Sequence, residues 1–363
     1  MASIRGCIRL GLPAMGFPAM GLPAMGMLAL GLGFAVAVAS PPVASADSSA
    51  DWLSSIDSFL SGSALPAPSS GMDLAISYDG VLLIQEGNAS ANTTAGEFGL
   101  AIAEGSGASA SATGGTGDYA LADGTNALAI AGGRPGDTGA DHDTAIDIGN
   151  NDLPATGARD GAYAGNSDLG VGSGTGANDT AIDIGNNTNG ASGGGNEGAF
   201  AGGGGLGGVA GGGNGDTAID FGNNSGLYDG VDAVGGNNNY ASESGTMSGY
   251  DEGAFAGYGG NGNIAISDTS FTQEFAGAYA QIGNDNYALN MGPENSFATA
   301  FEGSSNVAIV DDPFGTAPSY ADSGYGFSSD VAEVLGTQGT TAAVTANGVY
   351  DILTALSHLT GTF

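Results

Sequence analysis

The side chains with the most chemistry to offer are aspartates that return at fixed spacing. Asp143-Thr-Ala-Ile-Asp-Ile-Gly-Asn-Asn151 recurs as Asp179-Thr-Ala-Ile-Asp-Ile-Gly-Asn-Asn187 and as Asp216-Thr-Ala-Ile-Asp-Phe-Gly-Asn-Asn224, at steps of 36 and 37 residues. Stacked carboxylates suit a hard cation, and calcium takes six to eight oxygen ligands. Gly212-Gly-Asn-Gly-Asp-Thr-Ala-Ile-Asp220 resembles a calcium-binding nonapeptide of the form G-G-x-G-x-D-x-U-x, with Asp216 one place early. Asp179, Asp183, Asp216 and Asp220 are therefore the calcium candidates. The preceding nine residues, Gly203 to Gly211, hold no Asp, and one coil offers too few oxygens. Solvated acidic ladders are the preferred reading, and no cofactor is expected.

Other chemistry is thin. Asp141-His142-Asp143 has the composition of a metal or proton-relay site, but the other imidazole, His358, is far away in sequence, so a surface loop is expected. The one G-x-S-x-G match after residue 46, Gly190-Ala-Ser-Gly-Gly194, lies inside a glycine-rich run without the apolar strand and helix that flank a nucleophile elbow. The chain has no Lys, so its glycine-rich runs cannot form a G-x-x-x-x-G-K phosphate cradle. These features point away from an enzyme.

Charge excludes further classes. The 363 residues carry 38 acidic side chains against four arginines, a net charge of −34. Such a chain cannot neutralise a phosphate backbone, so no nucleic-acid partner is expected, and anionic lipid surfaces repel it. The lone Cys7 permits neither an internal disulfide nor a Cys-based zinc site.

The N-terminus reads as an address. Residues 1–46 contain no acid and two of the arginines, Arg5 and Arg9. The apolar run Met27 to Ala39 and the small-residue site Ala44-Ser-Ala46 follow, the pattern of a secretory signal peptide cleaved after Ala46. No later segment has 18 consecutive apolar residues, so no transmembrane helix is expected in the mature chain.

The elements that must position the aspartates form a repeat. A second motif, Gly161-Ala-Tyr-Ala-Gly165, returns as Gly198-Ala-Phe-Ala-Gly202 and Gly253-Ala-Phe-Ala-Gly257. Aligned on alanine, the two motifs alternate as Ile146, Tyr163, Ile182, Phe200 and Ile219, at steps of 17 to 19. This predicts an all-β fold, a parallel β-solenoid or β-roll of about 18-residue coils that shorten toward the C-terminus. Strand residues alternate between faces. The large side chains Ile146, Tyr163, Ile182, Phe200 and Ile219 are expected inside as one ladder, and Asp147, Asp183 and Asp220 outside. The alanines Ala164 and Ala201 would then space the outward charges on adjoining coils.

The expected organisation is a signal peptide (1–46), an N-terminal amphipathic helix and linker (47–70), an opening β-hairpin (71–96), the Gly/Ala/Asn-rich solenoid (97–312), and a linker with a C-terminal amphipathic helix (313–363). Trp52, Leu53, Ile56, Phe59 and Leu60 form one helical stripe, and Val349, Ile352, Leu353, Leu356 and Leu359 the other. Both helices are read as caps for the solenoid ends. Asp79-Gly80 between two apolar runs signals the hairpin turn.

The Ala-rich N-x-A-x-A-x-G beat over about residues 97–312 is similar to the head repeats of trimeric autotransporter adhesins. Gly202 to Gly205, Gly211-Gly-Gly-Asn-Gly215, Asp118-Tyr-Ala-Leu-Ala-Asp-Gly124 and the C-terminal Val-Tyr-Asp-Ile-Leu resemble secreted mycobacterial Gly/Ala/Asn-rich repeat proteins. Those proteins have the glycine-rich repeats of the PE-PGRS group without its PE domain. The resemblance implies a secreted or cell-envelope protein with a structural or surface-interaction role, in adhesion or host contact, and with an envelope, host-surface or homo-oligomeric partner. The alternative is a calcium-dependent binding module of RTX-like type.

Overall fold

The structure is a computed structural model. It describes residues 73–133, 140–151, 159–165, 176–187, 196–202, 213–225, 230–248, 253–268, 277–292, 295–312, 318–324, 326, 328–335, 342–346 and 352–356. The signal peptide and the helix expected at 51–60 lie outside them.

The described chain is all β. It winds between a thirteen-stranded and an eleven-stranded sheet, and successive coils stack in parallel register. The opening hairpin pairs Leu74–Tyr78 with Val81–Glu86 in antiparallel fashion. At its turn Asp79 and Gly80 both have positive φ, 46° and 78°, as a type I′ turn requires. From Leu100–Glu104 onward every neighbouring pair in the first sheet is parallel.

Between the three aspartate motifs the coil is twice as long as the spacing of motifs suggests. Thr144–Ile148, Thr180–Ile184 and Thr217–Asp220 are neighbours in the first sheet, with Ile146 beside Ile182 and Ile182 beside Ile219. Arg159–Gly165 and Asn196–Gly202 are neighbours in the second, with Tyr163 beside Phe200. The expected single ladder is thus two ladders on two sheets, and in these coils 18 residues is half a turn. Strands of the first sheet start 19, 25, 36 and 37 residues apart from Leu100 to Thr217, then 20 to 24 apart to Ile352. The coils do shorten toward the C-terminus, and each keeps both strands.

On the first sheet the faces are reversed from expectation, whereas Tyr163 and Phe200 on the second are buried as expected. Ala145, Ala181 and Ala218 are fully buried, as are Asp147, Asp183 and Asp220. Thr144, Ile146, Thr180, Ile182, Thr217 and Ile219 are half-buried on the outer face. Ala162, Ala164, Ala199 and Ala201 line the inside of the second sheet, so Ala164 and Ala201 space no charges on the first. The core is a double wall of alanine continued by Ala75, Ala101, Ala120, Ala241, Ala265, Ala288, Ala308 and Ala332. Large side chains would force the walls apart and break the tight corners that join them. Alanine fills a narrow gap at full packing density, and the large residues lie on the far side of each sheet, half-buried on the first and, at Tyr163, Phe200 and Phe255, covered on the second.

At the C-terminus, Ile352–Leu356 form a strand parallel to Val331–Leu335, pairing Val331 with Ile352 and Leu335 with Leu356. The helix expected there gives way because a short apolar run fits either period, and the open edge of Val331–Leu335 offers unpaired main-chain groups. No helix among the described residues is long and apolar enough to cross a membrane.

Candidate functional site

Each coil enters the first sheet through one three-residue corner. Its middle residue is left-handed: Gly117, His142, Asn178, Gly215, Asn238, Gly262, Asp285, Ser305 and Ser329 have φ from 56° to 78°. His142 is therefore an exposed corner residue, and among the described residues no three His, Cys, Asp or Glu side chains converge as a metal site.

The next residue is buried in every coil and builds a continuous column. Asp118, Asp143, Asp179 and Asp216 come first, then Asn239, Asn263, Asn286, Asn306 and Asp330. The Oδ1 of each member accepts the backbone N–H of the next, at 2.8 to 3.2 Å. The column thereby satisfies an amide donor that the corner turns away from the sheet ladder.

The other side-chain atom meets the opposite corner. Asn263 Nδ2 donates to the Gly283 carbonyl at 2.9 Å, and Asn286 and Asn306 donate to the carbonyls of Gln281 and Glu302, each at 3.3 Å. In the aspartates this atom is Oδ2, and in Asp118, Asp143, Asp179 and Asp216 it is buried and meets no donor. Beside Asp216 Oδ2 stands the Gly236 carbonyl, with the Asn239 side-chain amide giving partial relief. A Cβ on Gly213 would lie 1.9 Å from both Asp216 Oδ2 and the Gly236 carbonyl oxygen. Gly202, at φ 82°, leaves space that a Cβ would take 2.0 Å from Asp179 Oδ2, so glycine is required there on both counts. An acceptor facing acceptors is stabilised when it carries a proton and donates as the Asn amides do.

The electrostatics agree. Burial pushes Asp118 up to about 6, Asp143 and Asp179 to about 8, and Asp216 to about 7, against the partial relief of the backbone donors they accept and, for Asp216, of the Asn239 side chain. Neighbouring column carboxyls raise Asp143 further, through Asp179 and Asp118, and raise Asp179 through Asp216.

The second aspartate of the motif has a different partner. Asp147, Asp183 and Asp220 accept the side-chain amides of Asn151, Asn187 and Asn224, four residues on, at 2.6 to 2.7 Å. Asp147 also accepts Leu128 N–H at 2.6 Å from the opposite sheet. The first Asn of each Gly-Asn-Asn stays outside and forms its own ladder, with Asn150 donating to Asn186 and Asn186 to Asn223 through both backbone and side chain. The whole Asp-Thr-Ala-Ile-Asp-Ile-Gly-Asn-Asn motif is thus accounted for as coil chemistry. The four calcium candidates fall into two buried columns, Asp179 with Asp216 and Asp183 with Asp220. Asp183→Ala is expected to destabilise by about 1–3 kcal/mol, because the Asn187 amide loses its acceptor in a buried place. Adding Asn187→Ala should recover part of that loss in thermal melts. A double variant weaker than the sum of the single ones would contradict this pairing.

The outer face of the first sheet is the other candidate, and it was hidden by the face reversal. Over the nine strands from Leu100–Glu104 to Val307–Asp311 its first row is Leu100, Tyr119, Thr144, Thr180, Thr217, Tyr240, Ile264, Tyr287 and Val307. The second row is Ile102, Leu121, Ile146, Ile182, Ile219, Ser242, Ile266, Leu289 and Ile309. All are half-buried, and none is charged. On the second sheet, by contrast, Tyr163 and Phe200 stack at 5.0 Å and 7° and are 1 % exposed.

Comparison with known protein-family models, curated proteins and solved structures returns no match.

Proposed function

We propose that the chain is a secreted or cell-envelope-associated, non-enzymatic repeat protein whose role is structural and is exercised through surface contact. The observation that supports this reading is the outer face of the first sheet: two in-register rows of uncharged, largely apolar side chains across nine strands, on a chain of net charge −34. Contiguous apolar surface of this extent marks an interaction site. The buried aspartates serve the coil itself, which leaves the face as the feature that serves something outside it. The signal-like N-terminus, Arg5 to Ala46, supports export.

The test uses the exported protein with a C-terminal tag, as wild type and as Ile146→Asp/Ile219→Asp. Wild type should be found outside the cytosol, starting at Asp47, and should retain envelope material or its own kind on a column. The double variant should be exported equally and retain neither. Cytosolic, unprocessed protein would defeat the export reading, and equal retention by the variant would defeat the role of the face.

A further inference from the structure

We propose that the outer face of the first sheet is where a second copy of this chain docks, sheet against sheet. The inference rests on the surface-contact reading and names its partner. Three observations favour a second copy. The first is periodicity. Rows such as Ile146, Ile182 and Ile219 repeat at the spacing of parallel strands, about 4.8 Å, and only a surface with the same repeat fits them along the whole length. A second copy has it by construction, and its two-fold contact closes on itself.

The second observation is charge. The two rows are uncharged from Leu100 to Ile309, while Glu104, Asp123 and Asp311 stand beside them and Glu333 follows in the next strand. Two acidic chains can therefore meet on the first face without opposing carboxylates at its centre. The flanking acids resist sliding and non-specific apolar partners of the same sign.

The third is area. Nine strands with two rows of side chains cover roughly 550 Å² per copy, on the order of 1,100 Å² for the pair, from strand and residue spacings. A specific interface needs about 1,000 Å², so the face suffices for a dimer of moderate affinity. Sheets packed in this way interdigitate at about 10 Å.

Sedimentation velocity of the exported protein, from low salt to about 0.5 M sodium chloride, provides the test. A reversible dimer is expected that tightens with salt, because screening removes the repulsion between two acidic chains and leaves the apolar contact. Ile182→Asp should weaken it about 100-fold, as a central hot spot does, with the melting temperature little changed. Ile182→Thr, the residue type already present at Thr144, Thr180 and Thr217 on this face, should weaken it less. A wild type that stays monomeric at every salt concentration overturns the proposal, as does a dimer indifferent to Ile182→Asp. If that monomer still retains envelope material, or binds zwitterionic lipid vesicles, and loses this with Ile182→Asp, the surface-contact reading survives and only the second copy fails. If it retains nothing, both fail.

Discussion

Ala181→Leu is expected to unfold the central coils far more readily than Ile182→Asp, although the larger chemical change is the second. Ala181 is fully buried, paired in register with Ala145 and Ala218, and belongs to a core whose opposite wall is Ala162 and Ala199. Three added heavy atoms have no void to enter. Overpacking costs about 1–3 kcal/mol in ordinary cores, and an all-alanine wall without long, adjustable side chains should fall at or above the top of that range. At roughly 2–4 °C per kcal/mol for a chain of this size, the melting temperature should drop by about 6–12 °C. Ile182 is half-buried on the outer face, where aspartate keeps its hydration and loses only strand propensity, about 1 kcal/mol. Calorimetry of the two variants decides. A larger loss in Ile182→Asp would mean that the large side chains face inward after all.

Raising the pH from about 4 to above 8 should progressively destabilise the wild type, and Asp143→Asn/Asp179→Asn should remove much of that dependence. The folded-state values of Asp118, Asp143, Asp179 and Asp216 lie above the ordinary 3.8, at about 6, 8, 8 and 7. The folded chain therefore binds protons that the unfolded chain has released. Each raised carboxyl contributes full stability below about pH 4, loses it as pH climbs, and has lost it once pH passes the folded value. The slope is about 1.4 kcal/mol per pH unit for each such group in its window. Asp118 also faces Glu97, Asp141 and His142, so its window is set by the corner as well as the column. Asparagine is the replacement of choice because Asn239, Asn263, Asn286 and Asn306 already fill the same column. Urea titrations at pH 5, 7 and 9 should show the two curves converging in acid and separating in base, with or without a chelator. Parallel curves would mean that these carboxyls are ionised when folded. A separation that vanishes on chelation would mean that a cation, rather than a proton, serves the column.

The solenoid was legible because its signal is redundant: the aspartate motif, the Gly-Ala-aromatic-Ala-Gly motif and the corner residues all repeat. The hairpin at Asp79-Gly80 was legible from the turn chemistry alone. The coil length was misread because the two motifs share the alternation of alanine with a larger residue while belonging to opposite sheets. The face assignment failed for a more instructive reason. It gave the interior to the largest apolar residue, a rule suited to wide cores. The better signal was which position tolerates no variety. Across the first sheet the inward slot is alanine from Ala75 to Ala332, whereas the outward slot beside it holds Ile, Leu, Ser and Glu. A slot that accepts only one small side chain is the one pressed against a wall. The raised carboxyls of the column could not be read from sequence, because its aspartates look simply charged and its asparagines neutral until the carbonyls around them are seen.

The unequal coils bear on how such a chain changes length over generations. Between Leu100 and Ile352 the residues per coil vary from 19 to 37, yet alanine stays beside alanine and corner beside corner. All of the variation falls between strands, where neither sheet keeps count. A gene that gains or loses a whole repeat by unequal exchange therefore adds or removes one step of about 4.8 Å and leaves every other pairing intact. Reach is a heritable quantity in this architecture, adjustable in fixed increments without renegotiating the fold.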